Sequence, residues 1–170
     1  MRINIPPQVE FIIEKLTVMG YEAYLVGGCV RDSILGLSPN DWDITTSALP
    51  DEIKSTLNDC KLIETGVKHG TITVLIDQVP VEVTTYRVDG KYSDNRHPDD
   101  VRFTRSLKED LARRDFTINA LAYNHSDGMI DCFGGAEDIL NKQVRCVGEP
   151  TLRFQEDGLR ILRALRFSSV

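Results

Sequence analysis

Leu25-Val26-Gly27-Gly28-Cys29-Val30-Arg31-Asp32, followed by Asp41-Trp42-Asp43-Ile44-Thr45-Thr46, is the stretch that decides how this chain folds. Ala23 to Val26 is short and apolar and reads as a buried strand ending on two glycines. Cys29 to Leu35 reads as a helix, because Gly36 and Pro39 follow it as breakers. Trp42 to Thr46 reads as a second strand. If Asp41 and Asp43 extend that strand, alternation puts both carboxylates on one face and Trp42 on the other. Two like charges held so close repel, and a divalent cation is the usual compensation. Hard oxygen ligands at this spacing suit Mg²⁺, which keeps waters and recruits phosphate oxygens.

The glycines upstream suit the same chemistry. Gly27 and Gly28 let the backbone approach a phosphate, and the start of the following helix offers free N–H groups. Arg31, one turn into that helix, adds a charge-assisted contact. A third carboxylate is Glu82 in Val81-Glu82-Val83, where the two valines face a core and the glutamate faces away. Three carboxylates can hold two metals roughly 4 Å apart, an arrangement suited to in-line transfer at phosphorus. Either motif alone also fits a surface acidic pair or an ordinary glycine turn. The two together, each with an apolar strand, point to a site.

Outward from this segment the pattern is mixed. Pro6-Pro7 opens an amphipathic helix carrying Val9, Ile12, Ile13, Leu16 and Met19, and Gly20 closes it. Pro50 to Leu57 reads as a short helix. Gly70 to Asp77 alternates, Gln78-Val79-Pro80 turns the chain, and Val81 to Arg87 returns as the second strand of a hairpin. Asp89 to Asp100 is polar and aperiodic, a loop. Leu107 to Arg114 reads as helix, which Phe116 to Ala122 continues, and Gly128 to Cys132 reads as a strand. One helix is expected from Pro150 to the end. The sum is an α+β fold with a mixed, mostly antiparallel sheet covered by helices.

Bulk properties set few limits. The 170 residues suit one domain with the beginning of a second. A net charge of −6 argues mildly against a nucleic-acid partner. Clustering overrides it, since Arg153, Arg160, Arg163 and Arg166 all lie near the C-terminal end. Cys29, Cys60, Cys132 and Cys146 show no CxxC spacing, and the three histidines are scattered, so a structural zinc site is not expected. The thiols read as free, in a reducing compartment. No signal peptide and no apolar run of membrane-spanning length is seen, so a cytoplasmic protein without a membrane partner is expected. The sequence sets no oligomeric state.

The opening motifs resemble the first motif of the class II tRNA nucleotidyltransferases, the CCA-adding enzymes, which bacterial poly(A) polymerases share. Arg113-Arg114-Asp115-Phe116-Thr117-Ile118-Asn119-Ala120 resembles that family's second motif. The resemblance implies that Arg114 contacts the triphosphate and that Asp115 and Asn119 contact the ribose. The plain alternative is a surface helix with a Glu109–Arg113 ion pair. Asp131-Cys132-Phe133-Gly134-Gly135 and Asp138 resemble the family's flexible hinge motif. Glu156-Asp157-Gly158-Leu159-Arg160 resembles its Glu-Asp-x-x-Arg motif, which reads the incoming base without a template. Asp157 is acceptor-only and Arg160 donor-only. Together they match an amine beside a ring acceptor, as in cytosine and adenine. Uracil and guanine would leave acceptors facing each other, at a cost of about 1–3 kcal/mol or more.

Gly90 to Pro98 resembles the flexible loop of full CCA-adding enzymes, with Asn95 where many relatives have a second basic residue. The resemblance implies a polymerase beta-like nucleotidyltransferase fold. Residues 1–145 would form the catalytic head, and 146–170 the truncated start of an all-α neck. It implies Mg²⁺-dependent transfer from CTP and ATP to the tRNA 3′ end. Asp41 and Asp43 would be the metal ligands, with Glu82 joining them in catalysis. Gly27, Gly28, Arg31 and Arg114 would hold the triphosphate, Asp157 and Arg160 would read the base, and Arg163 and Arg166 would add positive potential. The alternatives are a bacterial poly(A) polymerase, a partial CC- or A-adding enzyme, or a nucleotide-binding module without turnover.

Overall fold

The structure, a computed structural model, describes residues 2–90, 92 and 100–169. The chain begins with α1 (Pro7–Val18), β1 (Ala23–Val26), α2 (Gly28–Ile34), β2 (Asp43–Thr46) and α3 (Pro50–Thr56). Next come β3 (Lys61–Ile63), β4 (Thr71–Ile76), β5 (Val79–Thr85), β6 (Arg87–Asp89) and β7 (Val101–Phe103). Helix α4 (Leu107–Ala112) leads to a 3-10 turn (Thr117–Asn119), β8 (Leu121–Asn124), β9 (Gly128–Asp131) and α5 (Gly135–Leu140). Helices α6 (Pro150–Glu156) and α7 (Leu159–Ser168) follow.

A seven-stranded sheet runs in the order β3-β4-β5-β2-β1-β8-β9, and β6 and β7 pair separately. Its neighbours are antiparallel except β2 and β5, which run parallel. The mixed, mostly antiparallel α+β fold expected from the sequence is the one observed. Strand β1 is buried on both faces: Ala23 and Leu25 join the main core, Tyr24 and Val26 a smaller cluster with Tyr86 and Leu111. That double burial explains its unbroken apolar run. Helix α1 sinks Val9, Ile12, Ile13 and Leu16 into the main core, as their spacing predicts, whereas Met19 caps the helix and is exposed.

Four expectations need correction. The hairpin turns at Asp77-Gln78, whose φ values of 49° and 65° make the tight loop favoured between twisted strands, so β5 already begins at Val79. Phe116 to Ala122 is not helical throughout. After the 3-10 turn the chain straightens into β8, which fills the slot between β1 and β9. The sheet's demand for a partner overrides the local pattern there. Asp41 lies outside β2, in a bend. Its antiparallel partner β1 ends at Val26, where Gly27 turns the chain away, so no ladder extends that far. Finally, the C-terminal helix is two helices. Asp157 is extended, its carboxylate accepts the Leu159 N–H at 2.9 Å, and Gly158 separates α6 from α7.

The Asp131–Asp138 segment, which the family resemblance reads as a hinge, carries a set of local hydrogen bonds. Asp131 accepts the N–H groups of Phe133, Gly135 and Ala136 at 2.9–3.2 Å. Buried Asp138 accepts Thr117 Oγ1 and pairs with Arg145. A Cβ on Gly135 would overlap the Thr117 carbonyl oxygen, so only glycine lets α5 lie this close to the 3-10 turn. Gly135→Ala should therefore cost about 1–3 kcal/mol, a fall of roughly 2–12 °C in Tm. Thermal melting of both proteins checks this, and an unchanged Tm would show that α5 can shift freely.

Candidate active site

The site lies where β2 leaves the glycine turn. Asp43 opens β2 and stands in register with Glu82 of the parallel strand β5. The next pair, Ile44 and Val83, is fully buried on the opposite face. The two carboxylates therefore stand side by side on the open face, and Glu82 is exposed there between buried Val81 and Val83. Asp41 is exposed in the bend just before. Burial pushes the Asp43 carboxyl above the usual carboxylate range, the charges of Glu82 and Asp41 push it further, and Arg114 partly opposes them. Its surroundings thus disfavour its own negative charge. Among the described residues no three carboxylate, histidine or cysteine side chains are already gathered tightly enough to hold a metal ion. The donor set nonetheless fits a hard divalent cation, which needs only one or two carboxylates beside water and phosphate oxygens. Such a cation would relieve the crowding that raises Asp43.

The glycine turn faces two guanidinium groups. Gly27 has φ 79° and ψ −131°, a conformation natural only to glycine. A Cβ there would lie 3.4 Å from Arg114 Nη1, and one on Gly28 would lie 3.6 Å from Arg31 Nη2. Both forks therefore border bare backbone. Arg31 donates to Asp32 Oδ1 through Nε at 2.9 Å and Nη2 at 2.7 Å, and to Asn119 Oδ1 through Nη1 at 2.6 Å. Its guanidinium also lies 4.9 Å from the centre of the Phe167 ring. Arg114 donates from Nη2 to Asp110 Oδ2 at 3.3 Å, while its buried Nε has no hydrogen-bond partner among the described residues.

Asp115 and Asn119 belong to one chain of contacts. Asn119 Nδ2 donates to Asp115 Oδ1 at 3.2 Å, and Arg163 Nε donates to Asp115 Oδ2 at 2.7 Å. Arg163 is thus joined to the buried second-motif aspartate, and through Asn119 to Arg31. Arg166 stays exposed, 4.8 Å from the centre of the Phe167 ring.

Asp157 and Arg160, which the family resemblance reads as the pair that selects the base, have different surroundings. Arg160 is 7% exposed and does not pair with Asp157. Its Nη1 donates to Glu156 Oε2 at 2.7 Å and to the Arg153 carbonyl at 3.2 Å, and its Nη2 reaches the Arg113 carbonyl at 3.4 Å. The break between the helices explains this: the Asp157 carboxylate is committed to the Leu159 N–H, which leaves Glu156 at the end of α6 to meet Arg160. Helix α7 turns apolar residues outward. Ile161, Leu162 and Leu165 are 50–63% exposed, because the Arg160 side is the one drawn toward the second motif.

Sequence reasoning missed Asp110 and Phe167, and it gave no contact of their own to Asp32 and Glu156, which lie inside the quoted motifs. Arg113 pairs not with Glu109 but with Asp110, at 2.9 Å, and with Asp89 at 3.5 Å. The signal was present, since Asp110 precedes Arg113 and Arg114 by three and four residues. The loop expected at Gly90–Pro98 lies, apart from Gly90 and Tyr92, outside the described residues. The four cysteines are free thiols, and among the described residues no helix is long and apolar enough to cross a membrane.

A mixed sheet that sets Asp43 beside Glu82, with a glycine turn and arginines along one side, defines a nucleotidyltransferase fold. The chain belongs to the poly(A) polymerase head domain family, whose pattern it matches over residues 23–145. It is 50% identical over 158 residues to the CCA-adding enzyme of Enterococcus faecalis, covering 93% of this chain and 38% of that protein. It is 52% identical over 158 residues to the CCA-adding enzyme of Geobacillus thermodenitrificans, covering 93% and 39%. The crystal structure of the Bacillus stearothermophilus CCA-adding enzyme in complex with CTP superposes with a TM-score of 0.86 at 46% identity, over 97% of this chain and 40% of that one. The Thermotoga maritima CCA-adding enzyme complexed with tRNA_CCA superposes with a TM-score of 0.76 at 28% identity, over 98% and 41%. The chain spans about two fifths of the length of these relatives.

Proposed function

We propose that this chain is the catalytic head, with the start of the neck, of a CCA-adding enzyme. Residues 1–145 form the head and 146–170 the neck segment. The reaction is transfer of CMP and AMP from CTP and ATP to the 3′ end of tRNA. The observation that carries the reading is the Asp43–Glu82 register beside a glycine turn bordered by Arg114 and Arg31.

Asp41 and Asp43 would hold Mg²⁺, with Glu82 beside Asp43 on the open face of the sheet. When bound, the metal supplies charge neutralisation at the reacting phosphate and acidifies the attacking hydroxyl. The RNA 3′-oxygen forms a bond to the α-phosphorus as the bond to the leaving pyrophosphate breaks. Gly27 and Gly28 give the triphosphate close access to backbone, while Arg31 and Arg114 offer it fixed donor forks. Asp115 and Asn119 contact the ribose from within their contact chain. Asp157 and Arg160 select cytosine and adenine, and Glu156 fixes the plane of the Arg160 fork. Arg163 and Arg166 contribute positive potential along α7.

The test is incubation of the chain with Mg²⁺, CTP, ATP and a tRNA transcript lacking its CCA end, followed by product sequencing. Addition of C-C-A, with UTP and GTP refused, is the expected result. Runs of A without C would instead identify a poly(A) polymerase. Transfer limited to C-C or to the final A would identify a partial enzyme. CTP binding without any transfer would leave a nucleotide-binding module.

A further inference from the structure

We propose that Asp110, a residue outside the nucleotide-contacting set above, is the positioning residue that aims Arg114 at the glycine turn. The inference rests on the reading of Arg114 as a triphosphate ligand. Asp110 is completely buried, yet it carries a carboxylate. Its Oδ1 accepts Arg113 Nε at 3.0 Å and the Arg87 backbone N–H at 3.2 Å. Its Oδ2 accepts Arg114 Nη2 at 3.3 Å and Thr45 Oγ1 at 3.1 Å. Burial alone would raise its pKa, but Arg114, Arg113 and the Arg87 N–H together hold it below the usual carboxylate range.

The contacts have a direction. Asp110 occupies Nη2 of Arg114, and the other terminal nitrogen of the fork, Nη1, is the one beside Gly27. Adjacent arginines repel each other, and Asp110 is the anion between Arg113 and Arg114 that keeps both in place. Thr45 lies two residues along β2 from Asp43, so it shares a face with that carboxylate. One buried carboxylate thus fixes Arg114 relative to the strand that carries Asp43. A fork held before ligand arrives loses less freedom on binding, and so binds the anion more tightly.

The test is equilibrium binding of CTP and of cytidine, which lacks the triphosphate. The proteins are the wild type, Asp110→Asn, Arg114→Ala and the double variant. Asparagine keeps the shape of the side chain but loses its charge. Asp110→Asn should weaken CTP about tenfold or more and leave cytidine within about twofold. The double variant should bind CTP no more weakly than Arg114→Ala alone. CTP affinity unchanged in Asp110→Asn, equal losses for CTP and cytidine, or additive losses in the double variant would each overturn the proposal.

Should Asp110→Asn fail to fold, NMR relaxation of the Arg114 Nε–Hε group in the nucleotide-free wild type decides. An order parameter near that of rigid backbone, about 0.85, is expected, and one below about 0.6 overturns the assignment. Failure of the wild type to bind CTP would count against the proposed function, and the same relaxation measurement would still decide whether Arg114 is held.

Discussion

Replacing Asp41 and Asp43 together by Ala is expected to abolish nucleotidyl transfer, with a loss of at least about 10³-fold. On the proposed assignment, several kcal/mol of transition-state stabilisation depend on a metal held by these residues, and each ~1.4 kcal/mol is a factor of ten. The fold should survive, because Asp41 lies in an exposed bend and Asp43 is only partly buried. Stability should move in the opposite direction. The native pKa of Asp43 lies above its ordinary value, so its ionised form destabilises the metal-free fold as pH rises through that native value. Asp43→Asn should therefore melt at a higher temperature than the wild type near neutral pH in EDTA. The difference should vanish under acid conditions that protonate Asp43. Turnover retained in the double alanine variant would sink the metal assignment. An Asp43→Asn protein that melts below the wild type in EDTA would sink the electrostatic account.

Asp110→Ala should cost about 3–5 kcal/mol of stability. Removing one partner of a buried ion cluster leaves the others uncompensated. Here Arg113 would keep only Asp89, Arg114 would lose the carboxylate it is paired with, and the Arg87 N–H would be stranded. A domain is held by only about 5–15 kcal/mol, so much of the margin would go. The pH dependence has a definite sign. The native pKa of Asp110 is below its ordinary value, so the unfolded chain takes up the proton first as pH falls. Its contribution is complete above the ordinary carboxylate range and is lost as pH falls through the native value. Urea unfolding of wild type and Asp110→Asn across pH 2–7 should show a gap that is constant at the upper end and closes at the lower. A gap that persists into strong acid would rule the ion cluster out as its source.

The residues with the plainest alternation were the ones most legible in the sequence. Val81-Glu82-Val83 fixes which way Glu82 faces, and β5 obeys it. The glycine turn was readable because an apolar strand runs straight into it. Asp41 was misassigned because the length of β2 depends on where β1 stops, which is information from another strand. Strand β8 was missed for a related reason. Leu121-Ala122-Tyr123-Asn124 is buried at every position, so it has no period to read, and only the gap between β1 and β9 makes it a strand. The partners of the arginines were harder still. Glu109 and Asp110 are neighbours in sequence, and only the rotation of α4 decides which of them faces inward. Likewise Glu156 and Asp157 compete for Arg160. The break after Glu156 hands it to the glutamate.

The single parallel pairing in the sheet has a kinetic consequence. Asp43 and Glu82 are far apart along the chain and meet only because β5 returns beside β2 after α3, β3 and β4 have been laid down. Contacts of that separation close late and carry a large loop-closure cost. The β4–β5 hairpin can form by itself, but the acidic pair cannot exist until the crossover is complete. On the proposed metal assignment, and because the unfolded chain has no such pair, divalent cation should bind only the finished sheet and raise the apparent stability by mass action. The midpoint of a Mg²⁺-dependent melting series should therefore track how much of the population has completed the crossover. In refolding, cation affinity should be among the last native properties to return.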